Sequence, residues 1–292
     1  MKKFAKIILE IIFGSKFFSH LSYIMYYRWV FPYIQVVTYH DTPNKDRDLF
    51  RKQLEWYQKQ YVNCSVQLFK DFLKYKKWPF DKPGLIISFD DGLKSNFNMA
   101  IPLLEEFGFT GWFMVPPGFI ELNAEAHSKF CNDSLIDYQE VPGQTRIGAT
   151  WEDIKQASQK GHQICSHSMN HKRLSDQLTF NEVDIEILES KNLLENKLGI
   201  EIEFFTWVGG EESSYGKTAF EKMLEAGYEY IFCTNCSPVY PDSNTKFLER
   251  YHVDSWSSLR QLRFILQSGL YDISYLFKRR RIMKKLLNAL SK

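Results

Sequence analysis

Two short stretches of the chain carry residue types that could do hydrolytic chemistry. The first is Ser88-Phe89-Asp90-Asp91-Gly92, two adjacent carboxylates followed by a glycine. The second is Ser166-His167-Ser168-Met169-Asn170-His171, with two imidazoles four positions apart. Each follows an apolar run that reads as a strand, Gly84 to Phe89 and Gln163 to Ser166. In a parallel α/β sheet, sites are built at the carboxyl ends of the strands. Adjacent side chains on an extended chain point to opposite faces. Where the strand ends in a turn, both carboxylates can still reach one pocket, in two different roles. Two histidines at this spacing can share a metal. Together the stretches imply two imidazoles and one carboxylate around a divalent ion, with open positions for water and substrate. Singly, each has a plainer use: a solvated Asp-Gly turn, or one core and one surface histidine.

The elements that must position these groups alternate along the chain. Strand-like runs occur at residues 35–39, 84–89, 110–115, 163–166, 204–208 and 230–234. Helical spacing fills 48–61, 98–107, 151–159, 179–197 and 217–226, the later four closed by Gly108, Gly161, Gly199 and Gly227. Strands alternating with helices imply βα units and a parallel sheet. The expected fold is a distorted α/β (β/α) barrel of about seven strands with terminal helices at its periphery. Residues 34–275 form the barrel domain in this reading, with an amphipathic segment at 1–33 and a basic amphipathic helix at 276–292. Residues 116–149 read as a long irregular loop, of the kind that often covers a site.

The chain is 44% hydrophobic and 25% charged, which suits a folded globule and excludes a disordered tail, a fibre or a multi-span membrane protein. A net charge of +2 conceals an asymmetry: +4 over residues 1–40 and +7 from Leu276 onward leave −9 on the body between them. An acidic body with basic ends does not suit a nucleic-acid binder. It suits a globule held at an anionic membrane surface through its ends. Phe4, Ile7, Ile8, Ile11 and Ile12 recur at helical spacing beside Lys2, Lys3 and Lys6. Leu276, Phe277, Ile282, Met283, Leu286, Leu287 and Leu290 repeat the design beside basic residues. The plainer reading packs both helices on the domain with their charges solvated. The apolar stretch Phe17 to Val37 also holds His20, Arg28, Pro32 and Gln35, which argues against a membrane span. The five cysteines (Cys64, Cys131, Cys165, Cys233 and Cys236) are odd in number and irregular in spacing, and read as free thiols of a reducing compartment.

The two chemical stretches resemble the signature of the polysaccharide deacetylase family, carbohydrate esterases of the NodB-homology type. Ser88 to Gly92 is similar to the family's first motif, and His167 with His171 to its second. Gly161-His162-Gln163-Ile164 resembles the lead-in to the second motif. The resemblance spans residues 34 to about 260. It implies that Asp91, His167 and His171 hold one divalent ion. Zinc suits that set, and cobalt, nickel or ferrous iron would also fit. It implies that Asp90 is the general base. The third motif is eroded: Thr206-Trp207-Val208-Gly209-Gly210 stands in its place without the usual Arg and Pro. The N–H that stabilises the oxyanion would then fall on Gly209. The missing arginine leaves Asp90 without its expected partner, a place that Arg250 could take. Val36-Val37-Thr38-Tyr39-His40-Asp41 looks like the Tyr-His motif of an exopolysaccharide-deacetylating branch, which implies His40 as the general acid, with His252 as runner-up. Trp207 and Trp256 are candidate sugar-pocket residues, with core packing as the alternative. His162 reads as structural, while His20 and His127 have no supporting context.

The expected activity is removal of an acetyl group from an N-acetylated amino sugar in a lipid-linked or envelope saccharide. The expected location is the cytoplasmic face of the inner membrane. O-deacetylation, deformylation and non-catalytic saccharide binding on the same scaffold are the alternatives.

Overall fold

The computed structural model describes residues 2–22, 31–143, 145–288 and 290. Among the described residues eight strands run β1 (Ile34–Tyr39), β2 (Val62–Asn63), β3 (Gly84–Phe89), β4 (Gly111–Val115), β5 (Gln163–Ser166), β6 (Phe204–Thr206), β7 (Tyr230–Phe232) and β8 (Tyr251–His252). The sheet order is β7-β6-β5-β4-β3-β1-β8, with β2 pairing β3, and every named pairing is parallel. The sheet curls until Phe232 of β7 bridges Leu248, just ahead of β8. The result is a distorted barrel wrapped in helices, as the alternating pattern requires.

Around it lie α1 (Lys2–Phe13), α2 (Lys16–Ser22), α3 (Arg47–Gln60), α4 (Val66–Tyr75), α5 (Ile101–Glu106), α6 (Pro117–Glu121), α7 (Ala124–Ser134), α8 (Trp151–Gln159), α9 (Phe180–Asp184), α10 (Ser190–Leu198), α11 (Lys217–Glu225), α12 (Leu259–Gln267) and α13 (Leu270–Leu287). A π-helical turn, Ile185–Glu189, joins α9 to α10. Thr150 and Asp153 form a capping box at α8, and Thr179 and Glu182 form one at α9. Each box satisfies two backbone N–H groups that would otherwise have no partner.

The period-2 alternation of the strands separates two apolar clusters. Ile34, Val36, Ile86, Trp112, Met114, Cys165, Phe204 and Phe232 share one face with Phe69 and Phe72 of α4. Val37, Tyr39, Leu85, Ile87, Phe89, Phe113, Val115 and Ile164 share the other with the surrounding helices. The first face continues past its last apolar layer into Thr38, Ser88, Asp90 and His167, all buried. Strand parity therefore carries the polar groups of both motifs to one end of the barrel.

Three expectations need correction. Residues 116–149 are not irregular throughout: α6 and α7 occupy much of the stretch, and Pro117 at the first position of α6 suits a helix start. His127 has a definite structural place, buried, its Nδ1 accepting from Ile147 N at 3.1 Å and Gly148 N at 3.0 Å. The basic C-terminal helix begins at Leu270 and is tied to the body. Arg279 donates to the carbonyls of Asn235 and Cys236, Arg281 pairs with Glu212, and Lys285 reaches Asp176 and the Tyr215 carbonyl. Of its expected apolar side, Ile282 and Leu286 are buried while Phe277, Met283, Leu287 and Leu290 are exposed. Residues 23–30, which include Arg28, and the side chains of Lys2, Lys3, Phe4, Lys6, Ile8 and His20 lie outside the described residues. No helix among the described residues is long and apolar enough to cross a membrane.

Candidate active site

Register brings the two motifs together. Thr38 and Ser88 are partners across β1 and β3, and Asp90 N donates to Tyr39 O at 2.9 Å. Across β4 and β5 Val115 pairs with Ser166, and His167 N donates to Val115 O at 3.0 Å. Asp90 continues the inward parity of Ser88. Asp91 would point outward on an extended chain. Instead its φ is +71° and that of Gly92 is +65°, so the chain turns and swings the second carboxylate back into the same pocket. His171 also sits in the left-handed region at +53°. Such backbone in a non-glycine residue costs on the order of 1 kcal/mol or more and persists where the surroundings enforce it.

The enforcing contacts are specific. Glu186, buried on the π-turn, accepts from Asn170 N at 2.8 Å and Asn170 Nδ2 at 2.9 Å, and its carbonyl accepts from Met169 N. Gly118 presses from the other side, where an added Cβ would lie 2.5 Å from Asn170 Oδ1. These contacts hold the loop between His167 and His171.

Asp91 Oδ1 lies 3.6 Å from His167 Nε2 and 3.0 Å from His171 Nε2. One ligand atom from each of the three residues can be chosen so that all lie within 4.8 Å of one another. His167 Nδ1 faces Thr206 O at 3.0 Å, and His171 Nδ1 faces Ser134 O at 3.1 Å. A carbonyl only accepts, so each Nδ1 donates to it and each ring turns its Nε2 toward Asp91. Asp91 Oδ1 is buried with no hydrogen-bond donor. Three ligand atoms this close, screened from water, are held together by a cation or a proton among them. Two imidazoles and a carboxylate, with the imidazoles oriented by carbonyls, suit a zinc-like divalent ion. Burial would push the Asp91 carboxyl up, but His171 and His167 hold it well below the usual range. Burial alone would lower His171, and Asp91 lifts it instead.

Asp90 is held differently. Arg250, completely buried, donates through Nη1 to Asp90 Oδ1 at 2.6 Å and through Nη2 to Oδ2 at 2.9 Å. The same guanidinium reaches Thr38 Oγ1 at 3.0 Å, Ser88 Oγ at 3.3 Å and the Cys233 carbonyl at 3.2 Å. Burial opposes ionisation of Asp90, yet Arg250 and His167 outweigh it and bring the pKa to about 2. His40 Nε2 and His167 Nε2 each stand 3.9 Å from Asp90 Oδ2. Lost hydration lowers the His40 pKa, opposed by Asp91 and Asp90. His252 lies on the rim, its ring centroid 5.0 Å from that of His40 and its Nε2 3.2 Å from Asp254 Oδ1.

His40, Asp90, Asp91, His167, His171 and His252 line a cleft of about 730 Å³, together with Trp207, Gly209 and Trp256, while Arg250 stands behind it. Trp207 is almost fully buried against Tyr215, whereas Trp256 is 54% exposed at the mouth. Gly209 has a φ of +78°, and its carbonyl accepts from Thr234 Oγ1 at 3.2 Å. Glu186, the carbonyls of Ser134 and Thr206, and Asp41 escaped sequence reasoning as parts of the site. Asp41 accepts from Gln139 N and Ser95 Oγ, each at 2.6 Å, and so ties Gln139 to the wall of the cleft.

The sequence profile described as polysaccharide deacetylase matches residues 77–231, more than half of the chain. The chain belongs to the polysaccharide deacetylase family. This polysaccharide deacetylase is 20% identical over 210 residues to the poly-beta-1,6-N-acetyl-D-glucosamine N-deacetylase of Escherichia coli strain K12. That match covers 62% of the chain and 30% of the relative, so the chain aligns with about a third of the relative's length. In fold it is similar to a Streptococcus pyogenes deacetylase solved with acetate, at TM-score 0.63 and 19% identity, covering 80% of this chain and 98% of that one. It is also similar to a de-N-acetylase from Aggregatibacter actinomycetemcomitans, at TM-score 0.64 and 15% identity, covering 80% and 99%.

Proposed function

We propose that this deacetylase is a metal-dependent hydrolase that removes acetyl groups from N-acetylhexosamine units of a polysaccharide. The observation that carries the reading is the convergence of the buried Asp91 carboxylate with His167 and His171, whose ligand atoms all lie within 4.8 Å of one another. A divalent ion held by Asp91, His167 and His171 would supply Lewis-acid polarisation and make a neighbouring water more acidic. Asp90, kept ionised by Arg250, takes a proton from the attacking water at Oδ2. Gly209, on the cleft wall, offers its backbone N–H to the negative charge that develops on the acyl oxygen. His40, beside the same Asp90 oxygen, passes a proton to the leaving nitrogen.

The polymeric substrate is supported by a second cleft of about 720 Å³ that shares Asp41, Pro43, Tyr138 and Gln139 with the first. Together they offer room for several sugar units, more than one lipid-linked sugar needs. The named activity of the Escherichia coli relative supports β-1,6-linked N-acetylglucosamine as the first substrate to try.

Acetate release from soluble β-1,6-linked N-acetylglucosamine oligomers is expected to fall about a hundredfold or more on chelation and to return with zinc. Release indifferent to chelator would remove the metal reading, and release only from O-acetylated xylan would move the activity to esters. His40→Ala is expected to lower kcat by about 10²–10⁴, and His252→Ala by less than about tenfold. The opposite ranking would assign the acid to His252.

A further inference from the structure

On another side of the molecule, α1 and α2 pack on α12. Gly14, at their junction, closes the contact: a Cβ there would lie 2.5 Å from Arg260 O, and Arg263 Nε donates to Gly14 O at 2.9 Å. The pair is seated, yet Ile7, Ile11, Ile12, Phe17, Phe18 and Leu21 face solvent, Phe17 at 72% exposure. Beside them a cleft of about 610 Å³ opens between α2, α3 and α12. Lys16, Lys52, Lys59, Lys82 and Arg263 line it, against Glu55 as the one carboxylate among the described residues. None of the four lysines pairs with a carboxylate among the described residues.

An apolar helical face beside a cleft of unpaired cations has the composition of an interfacial membrane-binding surface. We propose that α1, α2 and this basic cleft form one surface that docks on an anionic phospholipid bilayer. The apolar side chains enter the acyl boundary while the lysines meet headgroup phosphates. A soluble polyanion would engage the cleft but leave the apolar face uncovered. A twofold contact with a second copy would set the same lysines against each other. The C-terminal helix contributes less than its composition suggests, because Arg279, Arg281 and Lys285 are held by the body.

The placement has a consequence for access. Lys82 lies two residues before β3, and Gln35, near the start of β1, donates to Leu266 O at 2.6 Å. The basic cleft therefore adjoins the amino ends of the strands, whereas the catalytic cleft lies at their carboxyl ends. A docked molecule presents its catalytic cleft away from the bilayer.

Flotation of the whole chain with phosphatidylglycerol–phosphatidylcholine vesicles, and with pure phosphatidylcholine, tests this. Binding to the anionic vesicles is expected, weakening as salt rises. Lys16→Glu/Lys52→Glu/Lys59→Glu should lower the partition coefficient by about tenfold or more. Ile11→Ser/Phe17→Ser should lower it comparably, while Arg280→Glu/Lys284→Glu on α13 should leave it within about twofold. Unfolding midpoints report whether each variant is intact; if the triple reversal unfolds, Lys16→Gln/Lys59→Gln takes its place, with an expected loss of about threefold or more. The proposal fails if the wild type does not float, if the cleft variants float as well as it does, or if only inorganic polyphosphate binds. Each readout is independent of acetate release, so failure here leaves the catalytic reading standing.

Discussion

Asp90→Asn is expected to lower kcat by about 10²–10⁴ while the protein still takes up one equivalent of metal. The asymmetry follows from geometry. Asp91 faces both imidazole nitrogens, whereas both Asp90 oxygens accept from Arg250, leaving Oδ2 within 3.9 Å of His40 and His167. The asparagine keeps one oxygen for Arg250 but has no basic site for a proton. Metal content measured beside acetate release separates the two roles. Metal lost along with activity would make Asp90 a ligand, and activity retained without it would give the base to another group. Asp91→Asn should behave in the opposite order, losing metal first, because a neutral amide replaces the anionic ligand that faces both imidazoles.

Arg250→Met should destabilise the fold by about 3–5 kcal/mol, because it leaves the Asp90 carboxylate buried without its cation. Arg250→Lys should recover only part of this. One ammonium cannot reproduce a fork that meets both carboxylate oxygens, Thr38, Ser88 and the Cys233 carbonyl. The wild-type pair also has a pH signature. The Asp90 pKa falls from 3.8 in the unfolded chain to about 2 in the fold. A depressed carboxylate pKa stabilises the fold above the unfolded value. Its contribution of about 2 kcal/mol is lost as pH falls from about 4 to about 2. In Arg250→Lys the acid limb of both stability and kcat should move to higher pH. Urea unfolding at several pH values and a pH–rate profile measure the two limbs. Equal stability of Arg250→Met and wild type would show that Asp90 is neutral in the fold.

Parts of the site that are local in the chain were legible from residue types. Asp90, Asp91 and His167 directly follow strands that their own apolar runs announce, His171 closes the loop after the second, and strand parity carries Asp90 and His167 to one end of the barrel. Arg250 was legible only as a candidate, because its partner lies 160 residues earlier and nothing in either local pattern names the other. Glu186 looked like any charged residue on a long helix. Only the π-turn and the approach of Gly118 turn it toward the His167–His171 loop. The carbonyls of Ser134 and Thr206 carry no side-chain signal at all. In α13 a run of basic residues read as a free surface, but whether a charge is free depends on which carboxylates and carbonyls the fold brings beside it.

The order of hydrophobic and polar residues by itself determined the parallel barrel, the strand ends at which chemistry is placed and the residue types of the candidate divalent-ion site. Those features follow from periodicities of 2 and 3.6 residues, which are written locally. Tertiary structure alone decided that Asp91 turns inward, that each imidazole offers its Nε2, that Arg250 rather than solvent answers Asp90, and that the unpaired lysines gather beside α2. Each of these depends on contacts between segments far apart in sequence, where a few tenths of an ångström decide which donor meets which acceptor.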